Sequence, residues 1–407
     1  MANAQDDPQV AVPKYLGSDF REAAPGHRFY LYLSLWSKQW QKLKGGATGD
    51  LVSLGDDDRR RMKALAQRQR AIAEEAALDR CSPVFSLPAT AIAPFTTGLG
   101  TEHPLENGFA FLSPYGLPYL PGSSVKGVLR EAARELGAGG DFEISDRSWG
   151  AAEIDALFGI AGGNDKGYTA PTGRRGALRF WDVFPVLPQG VGLQWEIITP
   201  HHGHYLGDSS GQTPPHDNAA PTPIHFLTLP VGSAFQFTVQ CDQTLLQEAY
   251  PDLLDGERWK TLLEEIFIHA FDWVGFGAKT RVGYGSMEVD EKSRDREEER
   301  RRQREERARE QAERASMPVG ERRAAELLDH KPNPNEPEYK YLLKQLDAED
   351  VPAADRAGVA KAALQWLEKR RTEIPGLRDR RKREKRLAEL ADHEERLKAY
   401  VKGGDPE

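Results

Sequence analysis

Cysteine and long apolar runs are the features that this 407-residue sequence has least of. Its two cysteines, Cys81 and Cys241, are too few for a disulfide framework or for a zinc site built from paired Cys-x-x-Cys motifs. This usage fits a reducing compartment. No stretch is long and apolar enough to cross a bilayer, and the N-terminus lacks the charged-then-apolar pattern of a secretory signal. We therefore expect a soluble, cytoplasmic protein that makes no contact with a membrane.

Two signatures of nucleotide-binding enzymes also fail within residues 275–285. A P-loop requires Gly-x-x-x-x-Gly-Lys followed by Ser or Thr, but Ala278 precedes Lys279 and Trp273 stands where the first glycine belongs. The dinucleotide fingerprint fails because Thr280 occupies the position of its third glycine. That fingerprint also follows a strand, whereas this stretch follows a predicted helix. A nucleotide-binding enzyme is therefore a disfavoured alternative.

Residues 275–285, which we call the glycine loop, combine glycine with cationic side chains. Glycine adopts backbone angles closed to other residues and lets a ligand approach the main chain. Exposed N–H groups in such a loop form a concave anion site, to which cations add donors. We therefore predict an RNA-phosphate site here, although a turn that merely joins a helix to a strand is the alternative. The predicted contact residues are Gly275, Gly277, Lys279, Thr280, Arg281, Gly283 and Gly285.

A second candidate site is the stretch 123–130, which contains two cations. It begins with Ser123 and Ser124, either of which can cap a helix. Lys126 and Arg130 lie four residues apart, so they project from the same face of that helix. A helix N-terminus with serines and two cations one turn further on suits phosphate contacts. The alternative is a capped surface helix with solvated cations, and on this stretch alone that alternative is favoured.

The formal net charge of −8 weighs against indiscriminate binding to nucleic acid. It does not exclude a local basic groove, because association depends on the charge near the contact. Arg174 and Arg175 form a basic turn ahead of a predicted strand, and we take them as candidate contacts to RNA or to a partner protein.

Three histidines, His201, His202 and His204, stand in a long irregular insertion over residues 200–225. Clustered histidines bind metals or shuttle protons, but neither His-Glu-x-x-His nor paired Cys-x-x-Cys accompanies them. We favour a role in recognition or hydrogen bonding to RNA or a partner. We predict no catalytic residue, no metal and no cofactor.

The order of the predicted elements indicates an α+β fold. Hydrophobic periodicity predicts strand, helix, strand, strand, helix, strand, which is the βαββαβ order of ferredoxin-like (RRM-like) domains used in RNA recognition. The prolines of the first strand limit it or place it near a sheet edge. The elements are a strand over 83–95, a helix over 123–136, strands near 176–186 and 233–241, a helix over 258–274 and a strand over 282–290.

Composition divides the chain around this domain. The spacing of apolar residues between Tyr30 and Leu43 predicts an amphipathic helix, and alternating Arg and Glu after residue 291 predict a single solvated helix. The predicted segments are a disordered arm (1–28), a helical N-terminal elaboration (29–82), the ferredoxin-like domain (83–290), a charged linker helix (291–317) and a small helical extension (318–407).

Several motifs of this chain, taken in order, resemble RAMP proteins of type III CRISPR systems. They resemble in particular the sixth-subunit family of the Cmr (type III-B) effector complex. The resemblance covers roughly residues 85–290 and excludes the charged segment and helical extension beyond 291. The motifs are Thr97-Gly-Leu-Gly100 with His103, Pro104 and Glu106, the stretch from Tyr119 to Arg130, Phe180-Trp-Asp182, Pro200-His-His-Gly-His-Tyr205 and the glycine loop.

The resemblance implies a ferredoxin-like RAMP domain that holds the 3′ part of a CRISPR guide RNA and its paired target RNA. The implied partners are other RAMP backbone subunits and the small helical subunits of the Cmr complex. Target cleavage in this family is attributed to a loop aspartate of another backbone subunit, and no such aspartate is matched here. The resemblance therefore implies a subunit without its own catalysis.

We expect Lys126, Arg130, Lys279 and Arg281 to contact phosphates of the RNA. One alternative is a guide-processing endoribonuclease of the same fold that uses a histidine from residues 201–204. Another is a scaffolding subunit whose glycine loop contacts a neighbouring protein.

Overall fold

The computed structural model describes nine stretches of the chain and divides it into two compact units. The units are Met1–Glu297 and Glu298–Glu407. The described stretches are residues 9–43, 53–79, 81–138, 149–160, 173–199, 203–214, 223–348, 350–373 and 380–403.

Strands and helices both contribute to the first unit, and the α+β class is confirmed. The strands are β1 (Gln9–Val10), β2 (Ser34–Trp36), β3 (Val84–Ala91), β4 (Phe111–Leu112), β5 (Leu117–Pro118), β6 (Gly159–Ile160), β7 (Arg174–Arg175), β8 (Leu178–Phe180), β9 (Gln194–Ile198), β10 (Ile224–Thr228), β11 (Ala234–Cys241) and β12 (Met287–Val289). Its helices are α1 (Pro25–Tyr30), α2 (Asp56–Ala76), α3 (Gly122–Gly137), α4 (Ala151–Phe158), α5 (Gly203–Leu206), α6 (Gln243–Ala249) and α7 (Arg258–His269). Among the described residues, no helix is long and apolar enough to cross a membrane.

The main sheet is four-stranded and antiparallel, in the order β12-β3-β11-β8. Helix α3 lies in the connection from β3 to β8, and α7 lies in the connection from β11 to β12. Apolar residues at helical spacing form the buried face of each helix, as the sequence predicts. The buried residues of these two helices and of the sheet belong to one hydrophobic cluster.

Four phenylalanine rings at the centre of this core connect the sheet to the glycine loop. Phe237 of β11 lies 5.2 Å from Phe267 of α7 and 4.8 Å from Phe276 of the glycine loop, measured between ring centroids. Phe271 lies 5.6 Å from both Phe237 and Phe276. Each such aromatic pair is worth about 0.5–1.5 kcal/mol beyond its buried area, so the start of the glycine loop is part of the core.

The alternative that the prolines place β3 near a sheet edge is wrong, because β3 is a central strand with Pro88 inside it. The strand is confined to Val84–Ala91, between Pro83 and Pro94. The backbone oxygen of Pro88 accepts a hydrogen bond from Asp290, which directly follows β12. The N and O of one residue point to the same side of an antiparallel strand. The N–H that Pro88 lacks would therefore face Asp290, so the missing bond falls at the end of the ladder, just past the three-residue β12.

The amphipathic helix predicted from Tyr30 to Leu43 is also wrong. That stretch instead contains β2, with Leu33 and Leu35 buried and the intervening Ser34 half-buried. This alternation has the period of a strand rather than of a helix. Trp40, with its backbone in the left-handed region at φ 60°, reverses the chain after β2.

Two further boundaries differ from the sequence prediction. The last strand begins at Met287 rather than at residue 282, because residues Thr280–Val282 form a 3₁₀ turn. The strand predicted near 176–186 is regular only over β8, and single bridges continue it at Val183 and Val186. The sequence analysis also missed β9, which pairs with β10 in a separate two-stranded sheet.

The second unit is helical within the part of the chain that the structure describes. Its helices are α8 (Glu291–Ser316), which begins in the first unit, α9 (Val319–Asp329), α10 (Glu338–Asp347), α11 (Ala353–Glu373) and α12 (Arg380–Val401). Helix α8 buries no residue, as expected of a helix with an alternating charge pattern. Helices α9 to α12 share an apolar cluster that includes Leu342, Val359 and Leu397.

Helices α9 and α11 cross at two glycines. A Cβ added at Gly320 would lie 2.2 Å from the Cα of Gly358, so alanine cannot fit without separating the helices. We predict that Gly320→Ala lowers the free energy of unfolding of the second unit by about 1–3 kcal/mol, the usual cost of overpacking. Denaturant unfolding followed by far-ultraviolet circular dichroism measures this.

The control is Gly127→Ala on α3, where a Cβ meets nothing within 4 Å. That change replaces a helical glycine and is expected to stabilise its helix by about 0.5–1 kcal/mol. Unfolding curves of Gly320→Ala that overlay those of the wild type would contradict the close crossing.

The two cysteines differ in their surroundings, since Cys81 is exposed and Cys241 is buried at the end of β11. Burial, and to a smaller extent the neighbouring Asp242, raise the pKa of the Cys241 thiol to about 12. Because only the thiolate reacts, we predict that a disulfide reagent at mildly alkaline pH titrates one thiol in the native chain and two in denaturant. Two fast-reacting thiols in the native state would contradict the burial of Cys241.

Candidate nucleic-acid interface

The glycine loop begins where α7 ends in a π-helical turn, Ala270–Val274. The N–H of Gly275 donates to the carbonyl of Ala270 at 2.7 Å, which closes this wider turn. Gly275 then adopts φ 73°, a left-handed conformation that a side chain disfavours. The chain leaves the helix at this residue and turns back towards the sheet.

Two glycines of the loop serve close packing against the protein's own backbone. A Cβ at Gly277 would lie 2.2 Å from the carbonyl oxygen of Thr96, and a Cβ at Gly285 would lie 1.9 Å from that of Phe276. Three backbone bonds hold the loop there, from Ala278 to Thr96 (2.8 Å), from Gly285 to Pro94 (2.9 Å) and from Phe276 to Gly285 (3.0 Å). These glycines therefore fix the loop in place and do not admit a ligand to the main chain.

The two cations of the loop have different surroundings. Lys279, at φ 60°, is half-buried, and its Nζ lies 5.0 Å from the centroid of the buried Phe226 ring on β10. A cation over an aromatic face is stabilised by about 0.5–2 kcal/mol, so Lys279 also fastens the loop to β10. Arg281 is exposed at the tip of the loop, beside Val282.

The predicted serine cap of α3 is wrong. Pro121 occupies the N-cap position, no side chain caps the helix there, and Ser123 and Ser124 lie inside the first turn. The Oδ1 of Asp182 instead accepts a hydrogen bond from the N–H of Gly122 at 2.7 Å. The protein's own carboxylate thus occupies the favourable N-terminal position, and a phosphate at this end would meet a negative charge.

Arg130 of α3 lies beside the ribbon formed by β6 and β7, and Lys126 lies one helical turn before it. The Nη2 of Arg130 donates to the carbonyl of Gly159 at 3.0 Å, and Gly159 pairs with Arg175 in the ribbon. Burial and the adjacent Arg130 both lower the pKa of Lys126, burial more strongly. Arg174 and Arg175 are exposed.

We call Lys126, Arg130, Arg174 and Arg175 the basic cluster. The structure thus brings together four candidate residues from two separate stretches of the sequence. In the part of the chain that is described, none of the four forms an ion pair with a carboxylate. The neighbouring Arg179, by contrast, pairs with Asp242 at 2.8 Å.

A short run of paired backbone connects the glycine loop to the start of α3. Ala278 donates to Thr96, Ala110 donates to Thr97 at 3.0 Å, and Tyr119 donates to Ala110 at 3.4 Å. Hydrogen-bonded segments lie about 4.8 Å apart, so these steps place Tyr119 within about 20 Å of Ala278. Lys279 and Arg130 nonetheless contact different partners, Phe226 and Gly159.

The predicted histidine group lies largely outside the described residues. His201 and His202 are not described, and His204 is described only as part of the backbone of α5. Within the described stretches, no group of three or more His, Cys, Asp or Glu side chains is placed to hold a metal ion.

The sequence analysis missed the roles of Asp182, Phe226 and His103. The Nε2 of His103 lies 2.8 Å from the carbonyl oxygen of Phe29, and its ring stacks on the ring of Phe29 at 3.8 Å. Burial lowers the pKa of His103, which fits a neutral histidine that fastens α1 to the loop after β3. Asp182 and His103 both belong to motifs that the sequence analysis recognised. Neither motif indicates the contact that the residue makes, with Gly122 for Asp182 and with Phe29 for His103.

Residues 89–288 match the RAMP superfamily. The Cmr subunit Cmr6 of the CRISPR system of Pyrococcus furiosus is 28% identical over 239 residues, covering 47% of this chain and 63% of that protein. Cmr6 of Saccharolobus solfataricus is 23% identical over 186 residues, covering 46% of this chain and 50% of that protein. The chain thus spans about half to two thirds of the length of these curated relatives.

Two solved structures are also similar in part. One is a cryo-EM structure of the type III-B Cmr-β bound to cognate target RNA, with a TM-score of 0.35 and 20% identity over 59% of this chain and 67% of that one. The other is the crystal structure of Cmr6 from Pyrococcus furiosus, with a TM-score of 0.28 and 22% identity over 51% of this chain and 98% of that one. On the sequence matches, residues 89–288 of this chain are RAMP-like, and the chain is similar to the Cmr6 subunits of two organisms.

Proposed function

We propose that this chain is a non-catalytic, RNA-binding subunit of a type III-B CRISPR (Cmr) effector ribonucleoprotein. In this proposal it holds the 3′ part of a guide RNA and the paired target RNA, next to other RAMP subunits and small helical subunits. The RAMP match and the similarity to two Cmr6 proteins support membership of such a complex. The contacts to RNA are argued from the residues of the chain.

We further propose that residues 83–290 form a ferredoxin-like RAMP domain. The sheet order β12-β3-β11-β8, with α3 in one crossover and α7 in the other, supports this arrangement. In the proposed organisation, residues 29–82 elaborate this domain, residues 291–317 form a charged linker helix, and residues 318–407 form a helical extension.

The observation that carries the proposal is the glycine loop, which presents cations from a backbone held in place by the core. Backbone bonds to Pro94 and Thr96 and the burial of Phe276 fix the loop before any ligand arrives. A preorganised donor loses less entropy on binding than a mobile one. Lys279 and Arg281 therefore suit a regularly spaced phosphate chain.

The basic cluster supplies a second group of cations, which form no ion pairs with the described residues, in a chain whose net charge is −8. Because the acidic residues predominate over the chain as a whole, attraction to RNA is confined to such local groups. Contacts of this kind position a nucleic acid without reading its bases. We therefore expect binding that tolerates any sequence and weakens steeply with salt.

We assign no catalytic step to this chain. In the proposal, Arg130 and Arg281 bind and orient phosphates. In the proposal, cleavage of the target belongs to another subunit.

We predict that Arg281→Ala weakens RNA binding uniformly across sequences and reduces the slope of log K against log salt by about 0.7, the value for one phosphate contact on a single strand. Stability should be unchanged, because Arg281 is exposed. Filter binding of the full chain to single-stranded RNA across a salt titration measures both quantities.

The matched control is Arg134→Ala, which removes an exposed arginine of α3 that is already paired with Glu131 at 3.3 Å. Its affinity and slope should equal those of the wild type. An unchanged slope and affinity for Arg281→Ala would remove this residue from the proposed phosphate contacts.

A further inference from the structure

The helical extension carries a local charge opposite in sign to that of the whole chain. Residues 369–386 hold ten Lys and Arg against three Asp and Glu, although the net charge of the chain is −8. Helix α8, the other strongly charged stretch, holds ten Lys and Arg against nine Asp and Glu, so its charges nearly cancel. A positive excess therefore lies where α11 ends and α12 begins.

Packing does not account for the cations of α12. Every described side chain from Arg381 to Glu389 is exposed, and Leu390 is the first described residue of α12 in the apolar cluster of this unit. The first four residues of α12 are Arg-Arg-Lys-Arg, at the end of a helix where the backbone dipole disfavours positive charge. Departures from a local rule of this kind are expected at functional sites.

Cations from two helices meet beside α10. Burial, and to a smaller extent Glu389, raise the pKa of Tyr339 on α10. Arg370 of α11 and Arg386 of α12 both oppose this rise. Both guanidinium groups therefore lie within electrostatic reach of one phenol hydroxyl, so the end of α11 and the start of α12 form one basic surface.

The cations of this surface differ in whether the protein itself uses them. Arg371 is paired with a carboxylate of α12 at 3.1 Å, and the Nζ of Lys369 lies 5.2 Å from the ring centroid of Trp366. Lys385 and Arg386 are exposed and form no ion pair or hydrogen bond with any described residue. These two side chains are therefore available to an external anion.

We propose that the exposed cations around Lys385 and Arg386 form a second phosphate-binding surface, which holds the backbone of an RNA strand. This inference rests on the proposed function only in taking RNA as the polyanion. It goes beyond that function because it assigns RNA binding to the helical extension, which lies outside the RAMP match over residues 89–288. Contacts of this kind position a strand without reading its bases.

The composition of the surface favours RNA over a protein as the occupant. Seven of the ten cations in residues 369–386 are arginines, whose planar guanidinium groups match the oxygens of a phosphate. Protein interfaces are instead depleted of charge at their centre and rely on apolar and aromatic anchors. Leu387, at 37% exposed, is the one large apolar side chain among the described residues from Arg381 to Glu389.

The test compares Lys385→Gln/Arg386→Gln with the wild type, both as the full chain, by fluorescence anisotropy with a short single-stranded RNA. The double variant should weaken binding roughly 5- to 25-fold near 0.1 M salt and reduce the slope of log K against log salt by about 1.4, the value for two phosphate contacts. Glutamine is a good helix former, so far-ultraviolet circular dichroism should be unchanged. Arg386→Lys keeps the charge and should keep the slope.

The matched control is Arg307→Gln/Arg309→Gln, which removes two exposed arginines of α8 in the same unit. These arginines also form no ion pair with a described residue, and the change in net charge is the same. Affinity and slope should stay close to those of the wild type, because the charges of α8 nearly cancel.

Four results would overturn the inference. If the α12 double variant binds RNA as the wild type does while Arg281→Ala binds more weakly, the second surface falls and the proposed function stands. If the α12 and α8 double variants weaken binding equally, the effect belongs to net charge and not to a site. If the α12 double variant loses association with a neighbouring Cmr subunit but no RNA affinity, the surface is a protein interface. If the wild-type chain retains no RNA, alone or in the assembled complex, the proposed function and the second surface fall together.

Discussion

The site depends on the backbone hydrogen bonds that hold the glycine loop against the segment after β3. Gly285 donates to Pro94 and Ala278 donates to Thr96, and both contacts require a residue without a Cβ at positions 277 and 285. Phe276 lies between these anchors and is buried in the aromatic core. The tip that carries Arg281 is therefore attached to a segment anchored in the core, so the folding of the chain sets its position.

The cationic side chains of the first unit are of two kinds, those paired with carboxylates and those that are not. Several exposed arginines, such as Arg134 and Arg179, are paired with carboxylates. The basic cluster has no such pairs among the residues described, and Lys279 is placed over an aromatic ring instead. A chain with an acidic net charge can thus attract a polyanion at these local groups of cations and repel it elsewhere.

Much of this arrangement was predictable from local patterns. Periodicity located α3 and α7 to within a few residues, and the glycine-rich composition identified the loop. What the sequence could not supply were contacts between distant segments. The cap of α3 comes from Asp182, sixty residues away, and the cation–π partner of Lys279 is Phe226.

Amide hydrogen exchange of the full chain, with and without single-stranded RNA, tests the central claim most directly. A preformed loop predicts slow exchange at Phe276, Ala278 and Gly285 in the free protein, because their N–H groups already donate to carbonyls. RNA should then add protection only near Arg281 at the tip. Fast exchange along the whole of residues 275–285 that slows only when RNA is added would contradict the account, since the loop would then be ordered by its ligand and not by the core.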